Sequence, residues 1–204
     1  MRETVTPCFI GIAGPSGSGK TELALRVAAA LPDAAVFSLD SYYQSLDHLA
    51  KPDRHQCDFD DPARLDWDLI NQHLADLGEG NTIQRPVYSF EQHTRLRETE
   101  PLDPARFIVV EGIFALCDAG VREKLHHRVY VHTSDDVCFA RRKQRDVEER
   151  GRTEESVDEQ YAKTVRPGAV RYVWPTEQFA NLVVSGTQDI EISVALVLGR
   201  VPFP

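Results

Sequence analysis

The sequence predicts an α/β fold in which a five-stranded parallel sheet is flanked by helices and carries a small antiparallel β insertion. Short apolar runs alternate along the chain with segments of helical period, which is typical of a parallel sheet with helices on both faces. A glycine-rich motif separates the first strand from the first helix. We expect one domain over residues 1–204, since single domains commonly run to about 100–200 residues.

Apolar runs bounded by turn residues predict strands that are buried on both faces. The five predicted strands are 9–13, 34–39, 107–110, 129–131 and 182–184. The predicted helices are 21–31, 66–77, one that begins at Ser134, 154–164 and 189–198. In the helix that begins at Ser134, Val137, Ala140, Gln144 and Val147 fall on one helical face.

Residues 81–102 break the alternation of strands and helices. They show alternating polarity, contain Pro86 and Pro101, and have no helical period. We therefore interpret this stretch as one or two antiparallel, hairpin-like strands inserted into the α/β core.

Composition and charge exclude several classes of function. The formal net charge is -9, whereas proteins that bind nucleic acid without sequence preference usually carry a basic surface, so we expect no nucleic-acid partner. The four cysteines form no CxxC pair, and we expect them to be buried and reduced. The start of the chain has no apolar run long enough for a signal peptide or a membrane span. We expect a cytoplasmic protein with no membrane partner.

Residues 14–21 read GPSGSGKT and match the phosphate-binding loop motif GxxxxGK[ST], the P-loop. Glycines let backbone N–H groups turn towards phosphate oxygens, and the helix that follows presents its positive end. A glycine-rich turn that binds nothing is the alternative, but the strand before and the helix after the motif disfavour it. The predicted cradle for ATP or GTP as phosphate donor consists of Gly14, Pro15, Ser16, Gly17, Ser18, Gly19, Lys20 and Thr21.

Two carboxylates are expected near this loop. Asp40 follows the second predicted strand and Glu111 follows the third, and ligands of open α/β sheets bind at the carboxyl ends of the strands. Each residue alone is commonplace, because Asp often caps helices and Glu often ends strands. Together with the Thr21 hydroxyl they predict a site that binds Mg²⁺ and accepts a proton.

Six basic residues crowd into residues 141–152 of this acidic protein: Arg141, Arg142, Lys143, Arg145, Arg150 and Arg152. One interpretation is a solvated helix face, since Asp146, Glu148 and Glu149 can pair with them at helical spacing. The other is a lid over residues 141–165, whose arginines stabilise a transferring phosphoryl group and whose hinge is Gly151. Composition does not distinguish the two.

In order, these segments resemble the uridine kinase (uridine–cytidine kinase) family of P-loop nucleoside kinases. GPSGSGKT and LDSYY at 39–43 match the family's opening, and FDDP at 59–62 resembles its FDHP. PVYSFEQHTR at 86–95 resembles PxYDFxxHxR, VVEGIFAL at 109–116 resembles its EGI strand, and PTEQFAN at 175–181 resembles PTKKYAD. The stretch at 141–161 resembles its lid and the following helix.

The resemblance implies a role for each matched residue. Asp40 is implied to accept the proton of the nucleoside 5′-hydroxyl and to order Mg²⁺ with Thr21 and Glu111. Lys20 and the lid residues Arg145, Arg150 and Arg152 are implied to stabilise the transferring phosphoryl group. The implied nucleoside contacts are Tyr43, Phe59, Asp60, Tyr88, Phe90, His93, Arg142 and Gln160. Among them Asp60 is implied to hold the ribose, and Tyr88, Phe90 and His93 to surround the base.

The resemblance therefore implies a kinase that phosphorylates uridine, and also cytidine, at the 5′-hydroxyl. By analogy it also implies a homo-oligomer. Two alternatives stay open: a P-loop kinase of another small alcohol, similar to phosphoribulokinase or pantothenate kinase, and a nucleotide-dependent regulatory NTPase. Three residues depart from the family pattern, namely Asp61, Ser89 and Asn181, and the first two bear on the base preference.

Overall fold

The computed structural model describes residues 6–50, 54 and 57–201. The strands are β1 Cys8–Ala13, β2 Ala34–Ser38, β3 Ile83–Ser89, β4 Thr94–Leu102, β5 Phe107–Glu111, β6 His127–His132 and β7 Leu182–Ser185. The α-helices are α1 Lys20–Ala30, α2 Trp67–Gly78, α3 Ala119–Lys124, α4 Asp135–Glu148, α5 Glu154–Gln160, α6 Arg166–Gly168 and α7 Ile190–Leu198. Short 3₁₀ turns span Leu39–Tyr42, Pro62–Arg64 and Trp174–Phe179.

Five strands form one parallel sheet in the order β2-β5-β1-β6-β7, which confirms the predicted fold class. Alternate residues of the central strands enter two different cores. Ile108 and Val110 of β5 pack in the core that includes α2 and α3, whereas Phe107 and Val109 pack in the core that includes α1 and α7. Both faces are covered, and this explains why the strands appear in the sequence as continuous apolar runs.

The insertion is a two-stranded antiparallel hairpin, as predicted. Strands β3 and β4 pair from Ile83 opposite Leu102 to Ser89 opposite Thr94, with an irregularity between Pro86 and Tyr88. Pro86 is tolerated at this break because the hairpin is only two strands wide and the break relaxes the ladder. The hairpin packs on the 3₁₀ turn that follows β2, and so stands over the carboxyl edge of the sheet.

Helix α4 does not bury the face that Val137, Ala140, Gln144 and Val147 share. Ala140 and Gln144 are exposed, and the buried residues of the helix are Cys138, Arg142 and Asp146, which follow one another at intervals of four. The helix therefore turns a polar stripe inward. Buried charged groups are tolerated when they are paired, which is the case here.

Three further expectations need correction. The sequence pattern did not predict helix α3, because its six residues are too few to show a helical period. The predicted helix 154–164 continues as helical turns to Phe179, because π-helical segments at Tyr161–Val165 and Ala169–Val173 break the regular period. All four cysteines are free as expected, but only Cys138 is buried.

Gly186 provides a test of how the sheet supports the P-loop. It follows β7, and a methyl group added there would collide with the Thr133 hydroxyl and the Ser18 carbonyl. We expect Gly186→Ala to lower the free energy of unfolding by about 1–3 kcal/mol, because the Ser18 carbonyl cannot yield without moving the P-loop and the Thr133 hydroxyl is bonded to that carbonyl. Urea denaturation measures the difference.

Gly78→Ala is the matched control. Gly78 ends helix α2, and an added methyl group would lie at an ordinary contact distance, 3.7 Å from the Phe9 ring. This variant should be as stable as the wild type or slightly more so. Equal stability of the two variants would contradict the role given to Gly186.

Candidate active site

The P-loop occupies the turn between β1 and α1. Gly17 has a φ of 84°, and a methyl group on it would collide with the Cys138 carbonyl of helix α4, so only glycine fits. Helix α1 begins at Lys20, whose side chain is buried, and the first-turn N–H groups face the loop. The loop thus combines a cation with a positive helix end, the arrangement that binds phosphate.

Glu111 joins the loop to the neighbouring strand. Its Oε2 accepts a hydrogen bond from the Thr21 hydroxyl at 3.0 Å, and its Oε1 accepts one from the Ser38 hydroxyl at 2.5 Å. Glu111 is the last residue of β5 rather than the first residue after it, and it is buried. Ser38 was not predicted as a site residue, although its place at the end of β2 could have indicated it.

Asp40 lies in the 3₁₀ turn after β2, beside Glu111. Enclosure by protein atoms raises the pKa of Asp40, and the Glu111 carboxylate raises it further, whereas Lys20, Arg150 and Arg145 oppose the shift. A carboxylate with a raised pKa is a stronger base, which suits a group that accepts a proton.

The oxygen atoms near the P-loop fit a magnesium ion. Mg²⁺ usually binds through one or two carboxylates while phosphates and water complete its octahedron, and Thr21, Asp40 and Glu111 offer such a set of oxygen ligands. Within the described residues no cluster of three or more His, Cys, Asp or Glu could hold a metal unaided. A metal here would therefore depend on the phosphates of the nucleotide.

One cavity of about 770 Å³ opens beside Lys20 and Thr21. Its lining comes from the P-loop, the turn after β2, the hairpin and the lid, which are far apart in the sequence. All the predicted catalytic, nucleoside-contact and lid residues line it: Lys20, Asp40, Tyr43, Phe59, Asp60, Tyr88, Phe90, His93, Arg142, Arg145, Arg150, Arg152 and Gln160. Glu111 lies behind Thr21, and the P-loop residues Gly14, Pro15, Gly17, Ser18 and Gly19 are outside this lining.

Aromatic rings form one wall of the cavity. Tyr43 and Tyr88 lie 5.4 Å apart between ring centroids, and Phe59 and His93 stack at 5.3 Å. The Tyr88 hydroxyl is buried and has no hydrogen-bond partner within the described part of the chain. A buried hydroxyl without a partner is costly unless a ligand satisfies it, so this wall is suited to a flat ring that carries polar atoms.

Asp60 follows Phe59 in the cavity lining and is 7% exposed. Burial raises the pKa of Asp60 to about 6, against the opposing effect of the nearby Arg142. Its Oδ2 accepts a hydrogen bond from the Thr164 hydroxyl at 3.4 Å, and Gly168 packs against its backbone. A carboxylate held this way can accept two hydroxyl groups of a ligand.

The basic stretch is only in part a solvated helix face: Arg141 and Arg150 are exposed, whereas Arg142 is buried. Arg142 donates to the Ser16 hydroxyl at 2.8 Å and to Gln160 at 3.1 Å, so it joins the P-loop to helix α5. The guanidinium of Arg150 lies 5.1 Å from the centroid of the Phe90 ring, which brings the lid onto the hairpin. The fully buried carboxylate of Asp146 lies among these arginines.

The sequence analysis assigned no role to two residues that organise the site. Asp146 was considered only as a surface partner, because a run of charges gives no sign of burial. Arg95 ends the PVYSFEQHTR segment and donates to the carbonyls of Tyr42 and Tyr43 and to Asp66 at 3.1–3.2 Å. It fastens the hairpin to the turn that carries Asp40.

The departures from the family pattern lie outside the cavity lining. The Ser89 hydroxyl accepts a hydrogen bond from the Gln92 N–H in the hairpin turn, and Asp61 caps the 3₁₀ turn at Ala63. Asn181 bonds to the Arg128 N–H of β6. All three side chains stabilise local turns and strands, and neither Asp61 nor Ser89 lines the cavity in which the base would lie.

Residues 9–193 match the model of the phosphoribulokinase / uridine kinase family. The chain belongs to this family. It is 38% identical to a uridine kinase of Alkaliphilus metalliredigens (strain QYMF), over 96% of this chain and 95% of that protein. It is 42% identical to a uridine kinase of Schizosaccharomyces pombe, over 93% of this chain and 43% of that longer protein. These matches confirm the prediction of a phosphotransferase.

Solved structures of kinases share the fold. The phosphoribulokinase from Rhodobacter spheroides superposes with a TM-score of 0.65 at 11% identity, covering 91% of this chain and 74% of that one. The D-glycerate 3-kinase from Cryptococcus neoformans gives 0.62 at 16% identity, covering 90% and 88%. At such identities the likeness concerns the fold alone.

Among the helices of the described residues, none is long and apolar enough to cross a membrane.

The buried charge of Asp60 should lower the thermal stability of the protein. At pH 7.5 its carboxylate is charged and buried, and its pKa of about 6 lies above the value of an unfolded chain, near 3.9. Asp60→Asn should therefore raise Tm at pH 7.5, and this gain should disappear as the pH falls from 6 towards 4, where the wild type also becomes neutral. Thermal unfolding at several pH values measures it. An unchanged or lowered Tm at pH 7.5 would contradict the raised pKa.

Proposed function

We propose that this protein transfers the γ-phosphate of ATP or GTP to the 5′-hydroxyl of uridine, with cytidine as a second acceptor. The proposal rests on one cavity. Lys20 and Thr21 line it beside Asp40, and aromatic rings around Tyr88 form one of its walls. The identity of 38–42% to proteins named uridine kinases supports the same substrate.

The donor phosphates would lie on the P-loop. Lys20 and the N-terminus of α1 bind the outer phosphates, and Arg145, Arg150 and Arg152 approach them from the lid side of the cavity. Thr21, Asp40 and Glu111 would hold Mg²⁺, whose charge stabilises the developing negative charge. Stabilisation by groups already in place is the main source of rate enhancement in such transfers.

The acceptor hydroxyl would lie beside Asp40. The 5′-oxygen forms a bond to the γ-phosphorus as the bond from that phosphorus to the bridging oxygen breaks, and the nucleoside diphosphate leaves. Asp40 accepts the hydroxyl proton. Closure of the lid over the cavity excludes water, which would otherwise compete as acceptor.

The nucleoside would extend from Asp40 towards the hairpin. Asp60 accepts hydrogen bonds from the ribose hydroxyls, and Arg142 with Gln160 lies alongside. The base packs against Phe59, Phe90 and His93, beside the ring of Tyr88. An aromatic wall favours a flat base over an open-chain or phosphorylated sugar.

A second cavity, of about 320 Å³, lies on the other side of the P-loop and would receive the donor base. Ser18 and Gly19 separate the two cavities, and Arg141, Gly186 and Gln188 line the second one. A triphosphate that crosses the loop between them would place its base here and its γ-phosphate beside Asp40. The lining has both donors and acceptors of hydrogen bonds, which suits either purine.

A coupled assay of ADP release with ATP, Mg²⁺ and a panel of acceptors tests the function. Protein shown to be folded by circular dichroism should release ADP only when uridine or cytidine is present. Release with D-glycerate, ribulose 5-phosphate or pantothenate instead would support another kinase of small alcohols. Release without any acceptor would support a regulatory NTPase, and either outcome would overturn the proposal.

Asp40→Asn tests the proton acceptor. The amide keeps the shape of the carboxylate but cannot accept the proton, so we expect turnover with uridine to fall by about 10²-fold or more. Asp61→Asn is the matched control, because its carboxylate caps a turn outside the cavity, and its turnover should be close to that of the wild type. Near-normal turnover of Asp40→Asn would remove the assigned role.

A further inference from the structure

Asp146 is a buried carboxylate to which the proposed mechanism gives no part. It lies on the inner face of α4 and is wholly inaccessible to solvent. We infer that Asp146 is the positioning residue of the lid: it holds Arg145, Arg150 and Arg152 in the arrangement that receives the transferring phosphoryl group. The inference rests on the proposed function.

The arginines converge on this single side chain. Oδ1 of Asp146 lies 2.8 Å from Nη2 and 3.0 Å from Nε of Arg145, and 3.3 Å from Nη1 of Arg150. Oδ2 lies 3.5 Å from Nε of Arg142 and 3.7 Å from Nη1 of Arg152. Four guanidinium groups thus share one carboxylate, and they approach it from both sides of the bend at Gly151.

The backbone makes the same connection. The Arg152 N–H donates to the Asp146 carbonyl at 3.1 Å, after the chain reverses at Gly151, where φ is 63°. Asp146 therefore fixes the loop that follows α4 through its main chain as well as its side chain. The Arg152 side chain continues to Gln160 and to the Ser156 carbonyl of α5, which fixes its direction.

The charge of the cluster is not balanced, and this distinguishes it from a purely structural ion pair. One carboxylate meets four guanidinium groups, so positive charge is in excess within the cluster itself, while Asp40 and Asp60 face Arg150 and Arg142 across the cavity. The pKa of Arg150 is lowered by burial and by the nearby Arg145, which is a sign of crowding. A phosphoryl group entering the cavity would relieve this excess.

The geometry also leaves parts of the guanidinium groups for a ligand. Arg145 engages Asp146 through Nε and Nη2, and within the described residues its Nη1 has no hydrogen bond. Arg150 uses only Nη1 and rests on the Phe90 ring. Asp146 thus orients Arg145 by one edge through hydrogen bonds and holds Arg150 by an ion pair, while other edges of both groups can reach the cavity.

Removing the charge should therefore slow the reaction more than it weakens nucleoside binding. We expect Asp146→Asn to lower kcat with uridine by about 10²-fold, the loss typical of one misplaced electrostatic group. The dissociation constant for uridine without donor should change by less than about threefold, because Arg142, the nucleoside contact among the four arginines, keeps its hydrogen bonds to Ser16 and Gln160. Isothermal titration and steady-state kinetics give the two values.

Glu148→Gln is the matched control. It removes one negative charge from the same helix, but Glu148 is exposed and contacts Gln144. Its kcat should equal that of the wild type. Equal kinetics of Asp146→Asn and Glu148→Gln would overturn the inference.

A double-mutant cycle separates positioning from a general structural role. If Asp146 acts through the arginines, adding Asp146→Asn to Arg145→Met/Arg150→Met should lower kcat by less than about threefold further, since interacting sites are not additive. Losses that multiply in full, or Asp146→Asn losing uridine binding together with kcat, would show a structural carboxylate and overturn the inference.

If Asp146→Asn does not fold, Asp146→Glu tests the positioning role of Asp146 instead. It keeps the charge but moves it by one methylene group, so a folded variant should show kcat lowered by about tenfold with uridine affinity retained. A wild-type kcat, or equal losses of kcat and affinity, would overturn the inference. If the proposed function itself is wrong, the wild-type protein will not phosphorylate uridine. This result is obtained before any variant is measured, so the two failures can be distinguished.

Discussion

The site depends on the two hydrogen bonds that the Glu111 carboxylate accepts from Thr21 and Ser38. Strand β5 lies between β1 and β2, so this one side chain ties the start of helix α1 to the end of the strand that precedes Asp40. Because β5 is buried along its whole length, Glu111 has little freedom to move. The distance between the phosphate cradle and the proposed base is thus set by the core of the sheet.

Charge is distributed unevenly around the cavity, and this distribution determines the chemistry of the phosphate region and of the nucleoside region. Burial raises the pKa of Asp40 and of Asp60, which makes both carboxylates better acceptors of hydrogen bonds or protons. On the lid side, arginines outnumber the carboxylate that holds them. The contact between Arg150 and Phe90 joins the lid to the hairpin, so phosphate and nucleoside regions share one wall.

The sheet and the P-loop could be predicted because their physical causes are local. Strand β5 is buried on both faces and appears as a continuous apolar run, and the P-loop motif is complete within residues 14–21, although Gly17 also leaves room for the Cys138 carbonyl of helix α4. The lid could not be predicted in this way. Burial of Asp146 depends on arginines that reach it from both sides of Gly151, and π-helical turns at 161–173 hide the period of the helices. The role of Arg95 likewise depends on a tertiary contact with Tyr42 and Tyr43.

The most direct measurement is a crystal structure with uridine, Mg²⁺ and a non-hydrolysable ATP analogue. The account predicts the 5′-oxygen of uridine within hydrogen-bond distance of Asp40, the ribose on Asp60 and the base beside the Tyr88 hydroxyl. Uridine bound in the cavity beside Arg141, or with its 5′-oxygen directed away from Asp40, would contradict it.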